Sequence, residues 1–128
     1  SIATQLFGTW TCERIVARRS FYPVPNVTSA LVSLTPSRDV RAKQTAADPA
    51  FQRFVVRLFQ YRRKSLKNAL THATSLPADR IERLASMGTS EGESAPCRAE
   101  TLSPDLMKEL FENVADMAPA FVSTLRIQ

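Results

Sequence analysis

Six basic side chains in one short segment are the residues of this sequence best suited to binding an anion. They are Arg53, Arg57, Arg62, Arg63, Lys64 and Lys67. Guanidinium and ammonium groups neutralise phosphates and release counterions, so this set predicts contacts with the phosphate backbone of a nucleic acid. The alternative is a basic helix face that is only solvated.

The uneven distribution of charge along the chain bears on those alternatives. Residues 1–67 carry twelve Lys or Arg against three Asp or Glu, a net charge of +9. Residues 68–128 carry five basic against nine acidic residues, a net charge of −4. The split favours a polyanion facing the first half. A basic surface without a partner would show the same split.

The segment FYPVPNV, residues 21–27, is a second distinctive feature. Pro23 and Pro25 fix their own φ angles and push the residues before them towards extended conformations, which predicts a rigid, non-helical elbow. The alternating residues from about Thr28 to Leu34 predict a strand that is covered on at least one face. Such an elbow can hold one side chain still, and the candidate is Phe21.

Self-contained catalysis is not indicated. His72 is the only histidine and has no neighbouring nucleophile, and three glycines cannot build a dinucleotide fingerprint or a P-loop. Cys12 and Cys97 are far apart without metal-ligand spacing, so we expect no metal site. Two thiols in a reducing, cytoplasmic compartment are favoured over one long-range disulfide. No apolar run is long enough to predict a membrane span.

The first third of the chain predicts a helix and two strands. Residues 2–7 read as the end of a helix closed by Gly8, and the alternation from Thr11 to Arg18 predicts a strand. This strand and the one after the elbow would most simply pair antiparallel. Residues 37–47 are polar and without period, which predicts a linker.

The remaining residues predict a small helical bundle. Asp48 and Pro49 have the types that begin a helix, and an apolar stripe follows them. Arg62 would interrupt that stripe, so either the helix breaks near residues 60–62 or Arg62 is buried against a partner; we favour the break. Further helices are expected over 78–87 and from Ser103, with a polar loop at 89–100.

Two motifs in this order resemble the ribosomal RNA adenine dimethyltransferase family. The first is F-x-P-x-P-x-V-x-S-A, beginning at Phe21. The second is F-x-x-x-V-x-x-x-F-x-x-R-R-K-S-L-x-N-A-L, beginning at Phe51. SIATQLF and CRAETLSP also look like segments of that family, so the resemblance covers most of the chain.

The resemblance implies an α+β fragment with two parts. Residues 1–36 would end a Rossmann-like methyltransferase sheet in an antiparallel strand pair, 37–47 would be a linker, and 48–128 a helical RNA-binding domain. Similar enzymes use S-adenosylmethionine to dimethylate adjacent adenines near the 3′ end of small-subunit ribosomal RNA during ribosome maturation. The expected partner is therefore that RNA, or the pre-ribosomal small subunit, bound by a monomer.

The same resemblance assigns roles within the elbow. Phe21 would stack on the adenine once that base has left the base stack of the RNA, and Pro23, Pro25 and Ser29 would support the elbow. The elbow has Val24 and Asn26 where similar proteins often carry Pro and Lys, so one basic RNA contact is expected to be missing.

The family's glycine-rich donor loop and its Asn/Asp-Leu/Ile-Pro-Tyr/Phe tetrapeptide are absent from these residues and would lie upstream of Ser1. We therefore expect S-adenosylmethionine to be bound by that upstream half and the fragment alone to be inactive. The alternatives are a non-enzymatic RNA- or ribosome-binding module, a relative that methylates large-subunit RNA and confers macrolide resistance, or a mitochondrial relative acting in transcription. Arg62 and Asn68 could also serve only to tie the helical part to the catalytic one.

Overall fold

The structure, a computed structural model, describes residues 1–88 and 97–127. It confirms an α+β fragment in which an antiparallel strand pair precedes a helical domain. The elements in chain order are α1 (Ile2–Phe7), β1 (Gly8–Val16), β2 (Ser29–Pro36), α2 (Val40–Ala47), α3 (Pro49–Gln60), α4 (Leu66–Ala73), α5 (Ala78–Ser86), α6 (Pro104–Met117) and α7 (Pro119–Ile127). Most of the expected polar loop, residues 89–96, lies outside the described residues.

The β1–β2 hairpin confirms the expected antiparallel pairing. Both strands differ in extent from the sequence expectation, since β1 ends at Val16 and β2 continues to Pro36. Val16 lies opposite Ser29, and this pair closes the loop that contains the elbow. The register shifts at Glu13, which is the extra residue of a β-bulge and accepts a hydrogen bond from the Ser33 hydroxyl.

One side of the hairpin, called here the apolar hairpin face, consists of cross-strand neighbours: Trp10, Cys12, Ile15, Ala30, Val32 and Leu34. Trp10, Ile15 and Val32 are 45%, 65% and 48% exposed. The expectation of a strand covered on one face is therefore wrong for the described residues. Alternation reports which face a strand is suited to bury, whereas two strands beside the short helix α1 do not supply the covering layer.

Helix α1 ends at Phe7, so Gly8 closes it as the sequence predicts, but without the left-handed conformation that is common at such positions. Its backbone is extended, with φ 179° and ψ −178°, because it begins β1 directly after α1. A glycine is nevertheless needed there, since a Cβ atom would lie 2.3 Å from the Thr35 carbonyl oxygen of the paired strand. The requirement comes from close approach of two backbones.

We expect Gly8→Ala to weaken pairing of β1 with β2 by about 1–3 kcal/mol, the usual cost of inserting a methyl group into filled space. Amide hydrogen exchange across the hairpin measures this, with the exposed neighbour substitution Thr9→Ala as control. Equal protection in the two variants would contradict the steric argument.

Residues 37–47, which the sequence predicts as a linker, contain the helix α2 (Val40–Ala47), and this helix was not expected from the sequence. Asp39 begins this helix by accepting a hydrogen bond from the Ala42 backbone N–H at 3.1 Å. That bond is the main reason why the pKa of Asp39 is lowered. Ala42 and Ala46, one turn apart, are buried. The domain boundaries proposed from sequence stay a prediction.

Helix α3 begins as expected and forms the centre of the core. The Asp48 carboxylate accepts from the Ala50 backbone N–H at 2.9 Å. Phe51, Phe54 and Leu58 are completely buried. The rings of Phe51 and Phe54 lie 5.4 and 5.6 Å from that of Phe111 on α6, so the cluster joins the middle of the chain to its C-terminal helices.

The expected break after α3 is confirmed. The helix ends at Gln60, residues 61–64 form a turn, and Arg62 is exposed. Solvation of the guanidinium avoids the cost of burying an unpaired charge, so the alternative of a buried Arg62 is wrong. Ser65 then begins α4 by accepting from the Asn68 backbone N–H.

Helix α7 was not expected from the sequence. Val122 and Leu125 are buried, and α7 packs along α3. Arg126 forms an ion pair of 3.0 Å with Asp48, the residue that begins α3. Helix α7 therefore packs against the first half of α3.

Among the described residues, no helix combines the length and the apolar composition that crossing a membrane requires.

Candidate nucleic-acid interface

The elbow is the tip of a long loop whose base is fixed by the hairpin. Residues 18–20 form one turn of 3-10 helix, and the Phe21 backbone N–H donates to the Arg18 carbonyl at 3.2 Å. The peptide bond between Tyr22 and Pro23 is cis. Phe21 thus follows a hydrogen-bonded turn and precedes a segment with two restricted φ angles.

Phe21 and Tyr22 are the aromatic side chains of the elbow, and both are accessible. Phe21 is 43% exposed and Tyr22 is fully exposed. Pro25 and Ser29 are half-buried, whereas Pro23 is exposed. The position of Phe21 is compatible with stacking on a base, which stays a prediction, as do the supporting roles of the prolines and Ser29.

A cavity of about 590 Å³, open to solvent, lies at the elbow between its two ends. Its lining consists of Ala17, Arg18, Arg19, Val24, Pro25, Asn26 and Thr28. Sequence reasoning did not assign Arg18 and Arg19 to any site. The signal was available, because two adjacent arginines lie just before Ser20 and Phe21, but only the folded loop shows that they share a cavity with residues from its other side.

The turn after α3, called here the basic turn, contains Arg62, Arg63 and Lys64. All three side chains are exposed, and the Lys64 backbone N–H donates to the Tyr61 carbonyl at 2.8 Å. The Tyr61 ring stacks on that of His72, with 5.0 Å between ring centroids, and so braces the turn against α4. His72 is therefore a packing partner of the turn in this structure.

Lys67, on the first turn of α4, is close to the basic turn in sequence but already has a partner. Its ammonium group forms an ion pair with Glu82 on α5, and both side chains are more than half exposed. Exposed ion pairs contribute at most about 1 kcal/mol, so a phosphate could compete with Glu82 for this lysine.

Arg53 and Arg57 lie on α3 and are separated from the basic turn by the end of that helix. The Arg53 guanidinium donates to the Leu125 carbonyl on α7 and is half-buried. Arg57 is also half-buried. The six predicted cations therefore do not form one helix face, although each stays a predicted RNA contact. Of these six side chains, the exposed ones are Arg62, Arg63, Lys64 and Lys67.

We expect Arg53→Ala to destabilise the fold by about 1–2 kcal/mol, since the Leu125 carbonyl would lose a charged donor. Urea unfolding measures the loss. Arg63→Ala is the matched control, because it removes one exposed positive charge and should leave stability within about 0.5 kcal/mol. A larger loss in the Arg63 variant would contradict a structural role for Arg53.

The described residues offer little for catalysis by themselves. Cys12 and Cys97 are free thiols, in agreement with the expectation from sequence. No group of three or more His, Cys, Asp or Glu side chains within residues 1–88 and 97–127 is arranged to hold a metal ion. The described residues instead present two exposed surfaces, the aromatic elbow at residues 21–27 and the basic turn at residues 62–64.

Comparisons with known proteins agree with the chemistry of these surfaces. The family model described as "Ribosomal RNA adenine dimethylase" matches residues 1–114. The match includes both the elbow and the basic turn, and ends before α7.

Several curated relatives carry the name ribosomal RNA small subunit methyltransferase A. One from Mycoplasma mycoides is 34% identical over 114 residues, covering 89% of this chain and 41% of the relative. One from Geobacter metallireducens is 38% identical over 107 residues, 82% of this chain and 37% of the relative. One from Chlorobium luteolum is 37% identical over 99 residues, 77% of this chain and 31% of the relative. The chain thus spans about two-fifths or less of the length of these relatives.

Proposed function

Because the chain belongs to the ribosomal RNA adenine dimethylase family, we propose that it is part of an S-adenosylmethionine-dependent enzyme that dimethylates adjacent adenines near the 3′ end of small-subunit ribosomal RNA. Within that enzyme, these residues supply the base-stacking elbow and a surface that docks the RNA. The partner is that RNA, free or in a maturing small subunit in the cytoplasm, and the protein acts as a monomer.

The accessible Phe21 ring, on a loop fixed at its base, is the observation that carries this proposal. An exocyclic amine inside a helix is out of reach of a methyl donor, so the adenine must be turned out of its stack. An aromatic side chain held in place can stack on the displaced base at little entropic cost. The four exposed cations near residues 62–67 then hold the RNA backbone without reading its sequence.

The described residues do not fit the methyl donor. A glycine-rich cradle would leave open space where a side chain is missing, but the two glycines within residues 1–88 and 97–127 are closely packed. The Thr35 carbonyl fills the space beside Gly8, and Cys97 and Leu66 fill the space beside Gly88. S-adenosylmethionine, which supplies the methyl groups, would be bound by residues other than these.

The apolar hairpin face supports a further layer of structure packed on these strands. Trp10, Ile15 and Val32 form a contiguous exposed apolar patch. Such patches mark sites of contact with other structure. A layer packed on this face would restore the burial that the alternation in β2 predicts. We assign that layer to the donor-binding part of the enzyme.

The test is methyl transfer from labelled S-adenosylmethionine to small ribosomal subunits that lack the modification. The isolated chain should give no incorporation. A chimera in which the aligned residues of this chain replace the matched segment of the Geobacter metallireducens relative should methylate the two adenines. Circular dichroism and RNA binding establish that both proteins are folded.

Three outcomes would contradict the proposal. Methylation by the isolated chain would show that the donor is bound here. A folded chimera that binds RNA without methylating it would favour the non-enzymatic RNA-binding module. Methylation of large-subunit RNA, supplied as a second substrate in a parallel reaction, would indicate the other branch of methyltransferases.

A further inference from the structure

The cavity at the elbow combines positive charge with an absence of neutralising groups. Arg18 and Arg19 line it from the 3-10 turn, and Asn26 and Thr28 line it from the segment that leads into β2. No acidic residue contributes to this lining. The cavity therefore presents two cations together with an amide and a hydroxyl that can donate hydrogen bonds.

Both arginines are available for a ligand. Each is exposed, and across the described part of the chain neither side chain has an ion pair or hydrogen bond. Glu13, the acidic residue nearest in sequence, lies in the bulge of β1 and accepts a hydrogen bond from Ser33. A phosphate would therefore not have to displace an internal partner.

The closeness of the cavity to Phe21 indicates which phosphate it would bind, namely one next to the base that stacks on Phe21. Arg18 and Arg19 lie three and two residues before Phe21 in the chain, and the Phe21 backbone N–H donates a hydrogen bond to the Arg18 carbonyl. A nucleotide whose base stacks on Phe21 has its phosphates within a few ångströms of that base. Arginine forks match the geometry of phosphate oxygens.

We propose that Arg18 and Arg19, with Asn26 and Thr28, form a phosphate-binding site for the backbone next to the adenine stacked on Phe21. This inference rests on the proposed function. It adds a contact that fixes the displaced nucleotide, separate from the docking surface at the basic turn.

The experiment measures binding of the 128-residue chain to a labelled RNA from the 3′ end of small-subunit ribosomal RNA, by fluorescence anisotropy at several salt concentrations. Arg18→Ala/Arg19→Ala should weaken binding about tenfold. The slope of log K against log salt should become shallower by roughly 1.4, from about 0.7 per single-stranded phosphate contact. Arg38→Ala/Arg41→Ala, which removes the same charge at exposed positions just before α2 and on its first turn, is the matched control and should have a smaller effect.

A rescue variant tests the location. Ala17 lines the same cavity, so Ala17→Lys in the doubly substituted protein should restore part of the affinity and of the salt slope. Equal losses in the two double variants, or no rescue by Ala17→Lys, would overturn the site and leave only a general effect of charge. Failure of the unsubstituted chain to bind the RNA would instead overturn the proposed function itself.

Discussion

Phe21→Ala is expected to lower methyl transfer by the Geobacter chimera about ten- to a hundredfold. Stacking of one base on one aromatic side chain contributes about 1–3 kcal/mol, and each 1.4 kcal/mol corresponds to a factor of ten. The measurement is the single-turnover rate with unmodified small subunits at saturating S-adenosylmethionine. The loss should be in the rate rather than in RNA affinity, because the basic turn and the elbow cavity remain intact.

Replacing Phe21 should not disturb the fold or the loop that carries it. Phe21 is 43% exposed and lies outside the buried core, so its removal should leave the free energy of unfolding nearly unchanged. The loop is fixed independently by the Val16–Ser29 pair. A lower rate would therefore indicate that the base has lost its stacking surface, and not that the elbow has unfolded.

Two variants serve as controls for Phe21→Ala. Phe21→Tyr keeps the flat ring and should retain most of the activity. Tyr22→Ala removes the neighbouring aromatic side chain, which is fully exposed, and should have little effect. If Tyr22→Ala is the more damaging change, the stacking residue has been misassigned by one position.

The parts of the fold that the sequence predicts are those in which a local rule agrees with burial. Asp48 and Pro49 begin α3, and Arg62 marks the end of its apolar stripe because a charge cannot be buried alone. The hairpin follows from alternation on both sides of a proline-rich loop. Each of these features is determined by residues close together in the chain.

The parts that the sequence did not predict depend on contacts over longer distances or on weak signals. Helix α2 buries only small alanines, so its stripe is faint. Helix α7 is stabilised by Arg53 on α3, a contact that links residues far apart in the sequence. For the same reason, Arg53 reads as part of a basic face until its partner is known.

The candidate site likewise has parts that the sequence predicts and parts that only the folded chain brings together. The elbow and the basic turn carry motifs that can be read directly from the sequence. Arg18 and Arg19 carry no motif, and their relation to Asn26 arises only when the loop closes. The lack of a covering layer on the apolar hairpin face could not be predicted either, because alternation describes what a strand requires and not what surrounds it.

Replacing Arg63, Lys64 and Lys67 together by alanine is expected to weaken RNA binding by one to two orders of magnitude at low salt. Each phosphate contact contributes about 0.7 to 0.9 to the slope of log K against log salt, so the slope should become shallower by roughly 2 to 3. Arg63 and Lys64 are solvated in the free protein and should account for most of the change. Lys67 should contribute less, since binding phosphate disrupts its ion pair with Glu82.

Glu82→Gln separates a docking role from a general effect of charge. This substitution frees Lys67 without adding a basic residue. If Lys67 contacts the RNA, Glu82→Gln should tighten binding in the unsubstituted protein and should have a smaller effect once Lys67 is replaced by alanine. The difference between the two effects is the coupling between the residues. If affinity and salt slope are unchanged in the folded triple variant, the basic turn does not dock RNA, and its exposed cations are only solvated.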